Sequence, residues 1–168
     1  LWRASGGGAT AINPSADRRT APGSFLPEDL ITCRGRLFFS ARDFQNGQEL
    51  WTSDGTPEGT RLVKEIVPGA GWSLVRQLTA VGSTLYFTAH EEASGLELWR
   101  SDGTVSGTVL VEDILPGEYG SNPSHFTAVG QTLFFFVGTT TPAELWKSDG
   151  TPEGTTMVKG GVPLPANE

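Results

Sequence analysis

One string of fifteen residues occurs three times in this chain, as ELWTSDGTPEGTRLV from Glu49 to Val63, ELWRSDGTVSGTVLV from Glu97 to Val111 and ELWKSDGTPEGTTMV from Glu144 to Val158. Recurrence at intervals of 48 and 47 residues constrains the fold more than any other property of the sequence. Each period must be one supersecondary unit that buries its apolar face on its neighbours. A second block recurs in step: ITCRGRLFFSA from Ile31, LTAVGSTLYFTA from Leu78 and FTAVGQTLFFFV from Phe126. The period slips only in turns. Gly35-Arg36 reads as one residue shorter than Gly82-Ser83-Thr84, and Gly138 to Ala143 as one shorter than His90 to Leu96.

Within one period the pattern is that of strands. Phe126 to Val129, Thr132 to Val137, Glu144 to Lys147 and Thr155 to Lys159 are short β-branched and aromatic runs bounded by Gly, Pro, Asp or Ser. Four strands per unit result. Adjacent residues of a strand face opposite sides, yet Leu85-Tyr86-Phe87 and Leu133-Phe134-Phe135 are apolar throughout, so that strand must be covered on both faces. The expected fold is therefore all-β, made of four-stranded antiparallel units stacked as the blades of a β-propeller. A β-trefoil, with three four-stranded repeats in a similar length, is the rival.

The turn chemistry agrees. In SDGTxxGT, Asp54, Asp102 and Asp149 can accept from N–H groups two residues on, and Gly55, Gly103 and Gly150 permit positive φ. Gly59, Gly107 and Gly154 then close the loop into the next strand. This predicts a hairpin between the third and fourth strands. Trp51, Trp99 and Trp146 precede it in every unit and read as packing residues between blades, where truncation to Ala would cost about 3–5 kcal/mol.

The string ELWxSDGTxxGTxLV resembles the ELWxxDGT repeat of long secreted or surface proteins of bacteria, over about residues 26 to 163. The resemblance implies a propeller-forming repeat and an extracellular, cell-surface or periplasmic setting. It supplies no catalytic residues to carry over. The N-terminus departs from it: Leu1 to Ser5 echoes LWRSD, but Gly6-Gly7-Gly8 replaces the DGT turn and 17–21 is an unrelated polar stretch. Residues 1–25 are thus expected to be a degenerate half repeat with a polar arm, and 26–168 three repeats in one propeller-like domain. Three and a half units do not close a ring of 4 to 8 blades. The expectation is a larger assembly or a longer chain, with segment 6–21 as a mobile or partner-ordered arm. The start at Leu1, without a signal pattern, likewise suggests a processed product or an excerpt.

Twelve basic against 19 acidic residues give a net charge of −7, which disfavours binding to nucleic acid or an anionic membrane surface. No run approaches the roughly 20 apolar residues of a membrane helix. Cys33 is the single cysteine, so neither an intrachain disulfide nor a thiolate zinc site can form.

Candidate chemistry is sparse. The DGT aspartates invite calcium, but each loop offers one carboxylate and calcium takes six to eight oxygens, so a structural turn is favoured. His90 and His125 do not recur between units and read as surface residues. Arg34, Arg36, Arg42, Arg61, Arg76 and Arg100 lack the tyrosine and acid spacing of a propeller sialidase. The expectation is a chain that is not an enzyme, with no metal and no cofactor. One further pattern concerns recognition: Phe25, Trp72 and Tyr119, each 47 residues apart, come after Pro-Gly pairs that lead into the next unit. These aromatics could present flat faces to a glycan or a protein, and the loops 42–48, 90–96 and 138–143 vary most between units. The function expected is a non-catalytic extracellular scaffold or protein-interaction module. Its alternatives are a lectin-like carbohydrate-binding module and an accessory structural subunit. Open blade faces at both ends call for a protein partner or further repeats.

Overall fold

The computed structural model describes residues 1–5, 8–11, 26–43, 45–139 and 142–164, and of residues 2–11 the backbone alone. Phe25 and the greater part of the 6–21 arm lie outside the described residues. All regular structure among the described residues is strand. The elements are β1 (Trp2–Ser5), β2 (Gly8–Ala11), β3 (Leu26–Cys33), β4 (Arg36–Asp43), β5 (Gly47–Ser53), β6 (Arg61–Lys64) and β7 (Arg76–Val81). They continue with β8 (Thr84–Glu91), β9 (Gly95–Ser101), β10 (Val109–Glu112), β11 (Ser124–Val129), β12 (Thr132–Val137), β13 (Ala143–Ser148) and β14 (Thr156–Val162).

Strands β3 to β6, β7 to β10 and β11 to β14 form three separate antiparallel sheets, each a meander in chain order, and β1 pairs with β2 alone. Four strands in sequential order are what a blade requires; a trefoil would instead share its strands in a closed barrel. The sheets stack on their faces. Phe38, Leu50 and Val63 of the first share a core with Leu85, Phe87, Ala89 and Trp99 of the second. Tyr86, Leu98 and Val111, on the opposite face of the second sheet, pack with Leu133 and Phe135 of the third, and Trp146 lies against that core. The alternation of the pleat thus sends Tyr86 one way and Leu85 and Phe87 the other, which is why the strand is apolar on both sides. Among the described residues the stack is open rather than closed into a ring.

The first hairpin of the first two units differs in turn type but not in length. Cys33 pairs with Arg36 and Val81 with Thr84, so both turns hold two residues. The expected slip at this turn is therefore absent, and the single one-residue slip falls between β12 and β13. In the first unit Arg34 and Gly35 both have positive φ, whereas in the second only Gly82 of its pair does. Those are the I′ and II′ forms that suit the twist of a hairpin.

Strands β3, β7 and β11 lie next to one another along one rim of the stack. Each is interrupted by a register shift against its partner strand. At the shift stands a non-glycine residue in the left-handed region: Asp29, Gln77 and His125, with φ of 53°, 59° and 55°. That conformation costs roughly 1–2 kcal/mol per residue.

Candidate functional site

The SDGT loop is built the same way three times. In the second unit Asp102 Oδ1 accepts from Thr104 N at 2.9 Å and from Thr104 Oγ1 at 2.7 Å, and Gly107 N donates to Thr104 Oγ1 at 2.9 Å. Ser101 Oγ accepts from Gly103 N at 2.9 Å and lies 2.7 Å from Thr108 Oγ1. The hydroxyl of Thr104, and after it the N–H of the same residue, holds Asp102 below the usual carboxylate range, and Asp54 and Asp149 behave alike with Thr56 and Thr151. Every one of these bonds is local, so the motif can be read residue by residue. Gly103 has φ of 90°. Gly107 has an ordinary φ and is required for another reason: a Cβ there would collide with the Asp102 carboxylate. The aspartates thus bind their own loop. Among the described residues no three His, Cys, Asp or Glu side chains converge as a metal-binding group would.

A second recurrent carboxylate carries more weight than its place in the motif suggests. Glu49 and Glu97, which open ELW, are fully buried on β5 and β9. Glu49 Oε1 accepts from Val67 N at 2.9 Å. Glu97 Oε1 accepts from Leu115 N at 3.1 Å and from Ser121 N at 2.7 Å, and Ser121 Oγ donates to Oε2. Both glutamates therefore hold the chain segment that crosses to the next unit. Ser73 and Ser121 continue the link, for their carbonyls accept from His90 N at 2.6 Å and Gly138 N at 3.2 Å at the far ends of β8 and β12. Burial raises the Glu49 carboxyl to about 7, against the opposing pull of its N–H donors, while the Ser73 hydroxyl donates to Gln48 O at 2.7 Å. Glu97 is raised by the same cause. A glutamate on a strand reads as solvated, and its partners lie 18 and 24 residues downstream. Its invariance in all three ELW strings was the one available signal.

Of the three tryptophans, Trp51 and Trp99 are buried and Trp146 is partly exposed. Phe87 and Trp99 meet with ring centroids 6.5 Å apart, as do Phe135 and Trp146. Equivalent positions are therefore kept while burial falls off in the third unit. The loop aromatics are placed differently from one another. Trp72 is half exposed with the Arg42 guanidinium 4.6 Å above its ring, and Tyr119 is 78% exposed. In register with Ser73 and Ser121, Trp72 matches Gly120 rather than Tyr119, so the regular spacing in sequence does not put these rings at equivalent points.

The two histidines lie apart. His90 is half buried at the end of β8, and His125 packs edge-on against Phe136 at 5.9 Å with Nδ1 3.1 Å from Ser124 Oγ. A shallow cavity of about 420 Å³ opens between β3 and β7, lined by Asp29, Leu30, Ile31, Arg76, Gln77, Leu78 and Thr79. Cys33 is a buried free thiol whose pKa burial raises. No helix of the described residues is long and apolar enough to cross a membrane.

The most distinctive surface is the outer face of the third sheet. Phe134, Leu145 and Val158 stand in register with Phe38, Leu50 and Val63 and with Tyr86, Leu98 and Val111. In the first two sheets all six are buried. In the third, Phe134 and Leu145 are half buried and Val158 is 49% exposed. Glu144 also escapes the clasp: it is half buried and accepts from Trp146 Nε1 at 2.9 Å. Here β14 runs on to pair Val162 with Ala143, whereas β6 and β10 end earlier and release the crossing segment. A scan of protein-family models and a search of curated proteins both return no match for this chain.

Proposed function

We propose that this chain is a protein of the ELWxxDGT repeat type that acts as a non-catalytic, extracellular scaffold or protein-interaction module built from propeller blades. The observation that carries this reading is the outer face of the third sheet, where Phe134, Leu145 and Val158 stay accessible although their counterparts are covered. Apolar patches of this kind mark interaction sites on soluble proteins. The recurrent polar residues support it too. Asp54, Asp102 and Asp149 are committed to their own turns, and Glu49 and Glu97 to the joints between units.

A lectin-like module is the second reading, favoured by two accessible aromatics on crossing loops, Trp72 beneath Arg42 and Tyr119. Aromatic faces of that kind stack on sugar rings. Two measurements separate the readings. A blank glycan array together with a native particle mass above the 17.9 kDa of the chain supports the scaffold or an accessory subunit. Glycan binding lost in Trp72→Ala and Tyr119→Ala supports the lectin. Turnover of a glycoside or ester that disappears in His90→Ala or His125→Ala overturns both.

A further inference from the structure

The two covered faces of the stack show what the uncovered one is shaped to receive. At each internal junction the aromatic side chain of the second strand meets the glycine of the next unit's DGT turn. The Phe38 ring lies where a Cβ on Gly103 would be 3.1 Å from Cζ, and the Tyr86 hydroxyl lies 2.6 Å from the corresponding position on Gly150. Both glycines are buried. The glycine of DGT thus serves the turn by its positive φ and the junction by its missing side chain.

The first junction adds a cation. Lys64 Nζ donates to Thr108 O at 2.9 Å, in the SDGT loop of the second unit, and stands 5.6 Å from the centroid of the Trp99 ring. The second junction has Glu112 at this place, which cannot donate. The third unit returns to lysine with Lys159, exposed on β14. Its face is also more apolar than its counterparts, for Phe136 stands where the other units have Ser40 and Thr88. No polar cap has replaced the docking residues.

We infer that the Phe134, Phe136, Leu145, Val158 and Lys159 face is a docking site for one kind of partner, a four-stranded unit bearing a Trp-x-Ser-Asp-Gly-Thr turn like that of the second repeat. Phe134 covers the partner's turn glycine. Lys159 binds a carbonyl of the same loop and lies over the partner's tryptophan. This rests on the interaction-module reading and gives its partner a chemistry.

The test extends the chain after Lys159 with a second copy of residues 65–112 and monitors hydrogen exchange of the β12 and β13 amides. The expected result is exchange slowed at least about tenfold relative to the unextended chain. Phe134→Ala and Lys159→Ala, each checked in the unextended chain for an unaltered fold, should reduce that protection, Phe134→Ala the more. Unchanged exchange overturns the proposal, and so does protection that neither substitution diminishes, since the cover would then be unspecific. A chain that gains this protection yet binds glycans loses the scaffold reading and keeps the docking site. One that binds a protein partner but gains no protection does the reverse.

Discussion

Glu97 and Glu144 occupy the same position of the same motif and have different surroundings. Glu97 is enclosed and receives two N–H groups and a hydroxyl from the segment that crosses to the next unit, whereas Glu144 is half buried and turns to the indole of Trp146. The residue does not set the difference. Its neighbour in space does, because a buried carboxylate is tolerable only with donors, and here the segment leading into the adjoining unit supplies them. A repeat of this type is therefore complete only when the next one is in place.

Four substitutions probe the contrast between the inner junctions and the outer face. The largest expected effect is from Val111→Asp, which buries an unpaired charge between the second and third sheets and should leave no cooperative unfolding transition. Val158→Asp, in register but half exposed, should shift stability by no more than about 0.5 kcal/mol. Urea denaturation of both variants checks this, and equal losses would mean that the outer face is as structural as the inner ones.

Next comes Glu97→Ala, which strands the N–H groups of Leu115 and Ser121 and should cost about 2–3 kcal/mol. Glu144→Ala should cost under about 1 kcal/mol, with only an indole donor released. Calorimetric Tm values of the pair, measured at one pH, give the comparison directly.

A pH titration sharpens it further. Burial holds the Glu49 carboxyl at about 7 against an ordinary value of 4.5, so the folded chain keeps this proton to higher pH than the unfolded chain. Stability should then fall as pH rises from 4.5 to about 7, by up to about 1.4 kcal/mol per pH unit for one such group, and level off above. Glu97 contributes with the same sign. The turn aspartates act oppositely: held low, they add stability that is lost only as pH falls below 3.8. The double variant Glu49→Gln, Glu97→Gln should flatten the upper slope and leave the acid limb in place.

A small effect is also expected at the first crossing loop. Arg42→Ala removes the guanidinium above Trp72 and should cost about 0.5–1 kcal/mol, detectable as a small shift in Tm.

Legibility depended on the range of each interaction. The SDGT turn was readable in full, since Asp102, Thr104 and Gly107 bond within six residues of one another. Strand number was readable from the short β-branched and aromatic runs between turn residues, and double-sided burial from Leu85-Tyr86-Phe87, because the pleat converts sequence into faces directly. The clasp of Glu49 was not, for its donors arrive from the crossing segment and its side chain is of a type found on surfaces. The second duty of Gly103 was hidden in the same way: positive φ explains the glycine completely until the Phe38 ring of another sheet is seen above it. The 47-residue spacing of Trp72 and Tyr119 is one short of the 48 residues that separate these two units, so the two rings fall at neighbouring rather than equivalent positions.

The strained residues on the rim act against joining along that edge. β3, β7 and β11 each form one edge of their sheets, with no strand of the same sheet on the outer side. An incoming strand would meet a left-handed residue and a shifted register midway along every one of them, at Asp29, Gln77 and His125. Ladder extension is blocked there three times over, which is how edge strands are kept from fibril growth. The energy stored in those backbones guards this one rim against lateral polymerisation, whereas the opposite terminal strands β6, β10 and β14 carry no left-handed non-glycine residue.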